Sequence, residues 1–458
     1  MNLNPLKTKP ERLFLFLALL FGGILVFLIP PYQAPDEINH YFRSYQILQG
    51  HLFSEKTPQG LGGRIPEDTL AVIAAFEDQP FHPEPRSSAA EILENLRKTV
   101  SEEPKRFAAF ANTALYSPVN YFPQALGMGI AGLFSSNPLV RMYGGRAANL
   151  LLWAFLVFLS IKIAPVFKWL FFALALLPTS LFLAATCSGD PLTNALCFLA
   201  IALILRLVQD GFRPREPRIL ALAALSCVLA LAKPFYLLIL LFFFAIPRRK
   251  GGPFPRLLKS FLLVFLPGLI LQTAWLALVK ASYVPHRLDV VVSPDDQLQY
   301  LFQHPFSVLE TVGRSLHQSL PFILASFVGV LGWLDTHLPP TLLWIAGGNL
   351  LIAAALDTKD DFRFSPKQKA VAATVFLLLT LTVCLTQYLH WNPVGAETIE
   401  GLQGRYFLAF SPLLFLCGYT RPPAVFRRPA AALPLFETLL VFATLVWTIA
   451  ELGGRYYG

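Results

Sequence analysis

Residues 11–50 read ERLFLFLALLFGGILVFLIPPYQAPDEINHYFRSYQILQG. From Leu13 to Ile29 the chain is continuously apolar, close to the length of about 20 residues (usual range about 17–25) that a helix needs to cross a bilayer. Lys7, Lys9 and Arg12 precede it. No small-x-small cleavage pattern follows and the run ends in IPPYQAPDE, so we read a retained anchor with a cytoplasmic N-terminus. Everything from Pro31 then starts on the outer face.

The composition agrees. Of 458 residues 55% are hydrophobic and only 14% charged, with a mean hydropathy of +0.54, which argues against a soluble enzyme and against disorder. The expected class is an all-α polytopic membrane protein. Further spans are expected at 142–163, 167–186, 191–208, 217–232, 234–247, 260–280, 340–356, 370–388, 406–419 and 432–450, giving about eleven with the first. Residues 1–30 then form the tail and first span, 31–141 a large external loop, 142–280 spans two to seven, 281–340 a second external loop and 341–458 the last four spans.

Alternation from a cytoplasmic N-terminus predicts which short loops are basic. Those expected inside are RLVQDGFRPREPR, PRRKGGPFPRLLK, DTKDDFRFSPKQK and TRPPAVFRRP, all rich in Lys and Arg, whereas CSGDP and LAKPF, expected outside, carry at most one cation each. The formal net charge of +9 therefore bears on topology and lipid, and no nucleic-acid partner is expected. In the first external loop, SAAEILENLRKTVSEEPKRF has the spacing of an amphipathic surface helix, and SPVNYFPQALGMGIAGLF reads as interfacial or re-entrant. Arg141 and Arg146 read as interface anchors. The five cysteines lie in or beside apolar runs without CxxC or zinc spacing, and read as buried apolar residues.

Ionisable groups at the membrane boundary are costly, and each is a functional candidate. Asp36 and Glu37 are adjacent, and His40 lies one helical turn after Asp36, with Arg43 beyond. A carboxylate there can act as a base toward a hydroxyl or hold a divalent cation such as Mg²⁺ or Mn²⁺; the alternative is a solvated cap on a helix N-terminus. Asp190, in ATCSGDPLTNAL, is either an orienting carboxylate or the cap of the helix that starts at Pro191. Lys233, in LALAKPFYLL, is a snorkelling or an anion-binding cation. In IEGLQGRYFLAF, Gln403, Arg405 and Tyr406 stand where a helix enters the membrane, Arg405 being suited to phosphate or to an ion pair with Glu397 or Glu400.

PPYQAPDEINHYFRSYQILQG, CSGDPLTNALCFL, LAKPFYLL, VGVLGWLDTHLP and IEGLQGRYFLAFSPLL together resemble the predicted membrane proteins named domain of unknown function 2142, over roughly residues 12–420. That family looks like part of the GT-C glycosyltransferase superfamily. The resemblance implies a multi-pass protein of the bacterial inner membrane with a large first external loop. It also implies transfer of a sugar from a polyprenyl-phosphate carrier to an envelope glycan or lipid acceptor on the outer face. Asp36 would match the catalytic base, with Glu37 and His40 beside it. Lys233 would lie near the carrier phosphate with Arg405 and Tyr406, while Asp190, Gln403 and Arg43 would orient the acceptor. The alternative is a transporter or flippase of lipid-linked sugars, which predicts charges well inside the spans. A noncatalytic assembly scaffold would leave Asp36, Glu37 and His40 as caps only.

Overall fold

The computed structural model describes residues 9–82, 86–211, 216–285, 290–420 and 427–458. Many of its helices, including the long ones that begin at Pro10, Pro138, Asp190, Phe254, Pro305 and Pro366, start where the sequence offers proline in the first turn, where the missing N–H costs nothing. α1 (Pro10–Leu28) begins this way and is followed by α2 (Glu37–Leu48). Next come β1 (Glu55–Thr57), β2 (Gly60–Pro66), α3 (Glu67–Ala74), α4 (Ala89–Arg97), β3 (Lys105–Ala109), α5 (Ala111–Ala114) and α6 (Phe122–Gly132). β1, β2 and β3 form an antiparallel sheet in that order, with Gly62 opposite Ala109 and Arg64 opposite Phe107. The expected surface helix is thus confined to α4, because the stretch after Glu103-Pro104 pairs as a strand.

α7 (Pro138–Ile163) packs along α1 and α6. Within it Gly144 meets Gly127 of α6 so closely that a Cβ on Gly127 would lie 2.1 Å from the Gly144 carbonyl oxygen. The outer side of α6 exposes Phe122, Leu126 and Ile130, an i, i+4, i+8 stripe, as an interfacial helix should. The span expected at 167–186 is instead two short helices, α8 (Lys168–Ala175) and α9 (Pro178–Ala184), because Pro178 interrupts the run. Both are buried.

α10 (Asp190–Asp210) is the most enclosed long helix, and α11 (Pro217–Ala232) returns beside it. The segment expected at 234–247 is a ten-residue 3₁₀ helix, Tyr236–Ala245. Then follow α12 (Arg248–Gly251), α13 (Phe254–Val279), α14 (Pro294–Gln303) and α15 (Pro305–Val328). The expected loop 281–340 is therefore largely helical and closes with the hairpin β4 (Val330–Leu331) and β5 (Thr336–His337). α15 carries Glu310, Arg314 and His317, and its Ser315 and Ser326 accept from the N–H groups of Ile399 and Gly404, so it lies over the loop that leads to Arg405.

α16 (Pro340–Leu356), α17 (Pro366–Trp391), a 3₁₀ turn at Gly404–Phe410, α18 (Ser411–Cys417) and α19 (Arg427–Tyr457) complete the chain. Ser365 and Gln368 close a capping box on α17. Among the described residues six helices are long and apolar enough to cross a membrane: Pro10–Leu28, Pro138–Ile163, Asp190–Asp210, Phe254–Ser282, Pro366–Trp391 and Ala430–Tyr457. Four shorter apolar segments accompany them, including Tyr236–Ala245 and Gly404–Cys417. The protein is a mostly helical membrane protein, to which the two small sheets are added. The cysteines are free. Of the basic loops, residues 212–215 and 421–426 lie outside the described residues.

The contact between α6 and α7 is backbone on backbone, and such contacts need small residues. Gly127→Leu is expected to push α6 off α7 and lower the thermal midpoint in detergent, whereas the same substitution at Gly348, where a Cβ meets nothing within 4 Å, leaves it within error. Equal midpoints for the two variants would contradict this packing.

Candidate functional site

The chain leaves α1 through Pro30 and Pro31 and turns twice in the left-handed region, at Tyr32 (φ 63°) and Asp36 (φ 58°). A non-glycine residue held there is an energetic exception that its surroundings must impose. Asp36 occupies the N-cap position of α2, yet its side chain makes no capping hydrogen bond. Its Oδ1 accepts from Asn112 Nδ2 at 3.0 Å, and Oδ2 lies 3.8 Å from Arg405 Nη2. The cap alternative is therefore not what this carboxylate does.

Glu37 behaves differently. Its two oxygens face Arg146 in a bidentate pair, Nε to Oε1 at 2.8 Å and Nη2 to Oε2 at 2.6 Å, with both side chains fully buried. Arg146 also donates to the carbonyls of Val26 (2.9 Å), Ile29 (2.7 Å) and Pro30 (2.9 Å), and Cys187 N–H donates to Glu37 Oε1 at 3.0 Å. Arg146 is thus an interior clamp rather than an interface anchor. Arg141 pairs with Glu102 at 2.6 Å and lies over the Tyr45 ring. Because both Glu37 oxygens are committed, Asp36 and Glu37 do not form a joint metal site, and among the described residues no three His, Cys, Asp or Glu side chains converge as ligands.

Around Asp36 the fold gathers groups from distant segments. Asp190, in the first turn of α10, ion-pairs with Lys233 at 2.6 Å rather than capping its helix. Lys233 closes α11, and its ammonium sits 5.6 Å from the Tyr236 ring centre and 5.3 Å from that of Tyr406. Burial would lower the Lys233 pKa, but the Asp190 carboxylate outweighs it, and the group stays above its ordinary value and charged. Arg405 lies between the two acids, 3.8 Å from Asp36 and 3.7 Å from Asp190 Oδ2, and not against Glu397, which lies 3.9 Å from Arg314. Its Nε is buried without a hydrogen-bond partner.

His40 Nδ1 lies 2.8 Å from Tyr121 Oη. Burial lowers the His40 pKa from its ordinary 6.5, against the opposing pull of Asp36 and Asp190, so the ring is neutral at pH 7. Burial raises the Tyr116 and Tyr121 pKa values, keeping both as phenols. The resulting site holds two carboxylates, two cations and a neutral imidazole. Asp36 is its accessible acid, with a side chain 38% exposed against 15% for Asp190.

Two expected site residues play supporting parts. Arg43 is buried and donates from Nη1 to Gln46 and from Nη2 to Leu52 O and Tyr116 O, which holds the wall of the site. Gln403 lines a small cavity with Pro35, Thr179, Ser326 and Arg405, its Oε1 buried and unpartnered. Asn112, Tyr116, Tyr121 and Tyr236 were not singled out in the sequence. The signal for the first three was available in the polar aromatic run ANTALYSPVNYF, whose phenols and amides stand out beside an expected membrane face.

A family model described as predicted membrane protein (DUF2142) matches residues 19–414. Neither the curated proteins nor the solved structures contain a match.

Two outcomes follow from the geometry. Arg146→Met strands a buried carboxylate, and is expected to cost about 3–5 kcal/mol in equilibrium unfolding in mixed micelles; a cost below about 1 kcal/mol would show that the pair is not the clamp described. For His40, whose folded pKa lies below the unfolded one, the unfolded chain binds more protons below about pH 6.5, so stability falls as pH drops through that window. His40→Gln should flatten the midpoint-against-pH curve between pH 7 and 5, and an unchanged slope would remove His40 as its source.

Proposed function

The chain belongs to the DUF2142 family of predicted membrane proteins, and from that premise we propose that it is a membrane-embedded glycosyltransferase. It would move a sugar from a polyprenyl-phosphate carrier to an envelope polysaccharide or glycolipid on the external face of the bacterial inner membrane, with a GT-C-like arrangement of spans. The observation that carries this reading is the meeting of one solvent-open carboxylate, Asp36, with the cations Arg405 and Lys233 at one end of membrane-crossing helices.

In this reading Asp36 Oδ2 takes the proton of the acceptor hydroxyl as its oxygen attacks the anomeric carbon. The bond from that carbon to the phosphate oxygen breaks, its electron pair leaves on the polyprenyl phosphate, and Arg405 and Lys233 offset the charge. Arg405 suits this task because its carboxylate neighbours stand off at 3.7 and 3.8 Å, beyond hydrogen-bond distance. Asn112 would hold Asp36 in register, and Asp190 would keep Lys233 charged.

The transporter or flippase reading draws on a different observation. Glu437 of α19 is buried within a span and accepts from Asn349 of α16 at 2.9 Å, a polar pair of the kind that lines translocation paths.

Purified protein in nanodiscs, supplied with a panel of polyprenyl-phosphate sugars and envelope extract, is expected to release free polyprenyl phosphate only when acceptor is present. Asp36→Asn should lower that release by about 10²-fold or more at unchanged expression. Full activity in the variant would remove Asp36 as the base, and donor translocation without release would replace the transferase by the transporter.

A further inference from the structure

At the other end of the same helices lies a cleft of about 1100 Å³. The C-terminal turn of α10, the end of the 3₁₀ helix Tyr236–Ala245, α12, the start of α17 and the turn at Tyr419 enclose it. Its floor is apolar and aromatic, made by Ala245, Phe362, Phe364 and Tyr419, all buried. Its rim carries Arg248, Arg249, Lys250, Arg363, Lys367 and Lys369 against one carboxylate, Asp361.

Two of these cations are occupied. Lys250 donates to the carbonyls of Val208 and Gln209, and Arg248 lies over the Phe254 ring at 5.4 Å. For Arg249, Arg363, Lys367 and Lys369 the described residues supply no carboxylate partner. Loop composition in membrane proteins accounts for cations on this face. It does not require cations from two loops to ring one concavity over an aromatic floor.

The shape has a cause in helix length. The 3₁₀ helix Tyr236–Ala245 has ten residues and rises about 20 Å at about 2.0 Å per residue. Its neighbour α10 has 21 residues and rises about 31 Å, close to the hydrocarbon thickness of about 30 Å. The 3₁₀ helix is thus about 10 Å shorter than α10, and the recess opens on the basic face where it ends.

We propose that the cleft binds the phosphate of an anionic membrane lipid from the leaflet on the basic face. The phosphate is met by Arg363, Lys367, Lys369 and Arg249, and the glycerol and first acyl carbons lie on the aromatic floor. Soluble phosphate shares the headgroup chemistry but has no use for that floor. The site is independent of the chemistry assigned to Asp36.

Delipidated protein in neutral detergent, titrated separately with phosphatidylglycerol and phosphatidylcholine and read by native mass spectrometry, tests this. At least a fivefold preference for phosphatidylglycerol is expected, undisturbed by excess inorganic phosphate. The triple variant Arg363→Ala, Lys367→Ala, Lys369→Ala should weaken phosphatidylglycerol binding at least tenfold, and the charge-conserving triple Arg363→Lys, Lys367→Arg, Lys369→Arg should retain it. Equal occupancy by the two lipids, or undiminished binding in the alanine triple, overturns the proposal. Displacement by inorganic phosphate would assign the cleft to a soluble phosphate and overturn the lipid site. Should the alanine triple not fold, the lipid preference of the wild-type chain and the conserving variant still decide.

Discussion

The ion pair between Glu37 and Arg146 is the constraint on which the site depends. An arginine near the start of a membrane-crossing helix is expensive unless its charge and all its donors are satisfied. Here the guanidinium meets a carboxylate in bidentate geometry and takes up three carbonyls at the end of α1, which that helix cannot satisfy itself. One interaction therefore joins α1, α2, α7 and, through Cys187 N–H, the turn before α10. Asp36 precedes Glu37 by one residue, so the anchoring of Glu37 is what can hold Asp36 in its left-handed conformation.

From that anchor the polarity of the site follows. Cys187 lies three residues before Asp190, so the clamp that places Asp36 also places the start of α10, whose Asp190 then draws in Lys233. Lys233 is tightly held by its carboxylate, whereas Arg405 stands at 3.7 and 3.8 Å from two carboxylates with an unpartnered Nε. The two cations are therefore unequal. One is locked in place by a close pair, and the other is held only by longer ones.

How much of this was legible differs by feature. The long spans were legible because length and apolarity suffice to recognise them, and the candidate residues at four separate boundaries, Asp36, Asp190, Lys233 and Arg405, do meet. The segment at 167–186 was misread because an apolar run does not reveal that Pro178 breaks a buried helix in two. The strand Lys105–Ala109 was misread because its pairing with β2 is nonlocal. The different fates of Asp36 and Glu37 were also hidden. Adjacent carboxylates look alike in sequence, and only the distant Arg146 distinguishes them.

The membrane gives the last step of reasoning its form. Within the hydrocarbon a polar group must find its partner in the protein, so the fold is driven to collect polar chemistry at the two ends of its helices. At one end the collection is nearly neutral and partly enclosed, with acids and cations already facing one another, so a ligand there must compete with internal pairs. At the other end cations predominate around an open cleft, so an anion can enter without breaking an ion pair. The first arrangement favours selective binding and chemistry, since only a ligand that re-pairs both signs is accommodated. The second favours simple electrostatic capture. The chain thus presents two polar ends of opposite design, one internally paired and one cationic, separated by the length of its membrane-crossing helices.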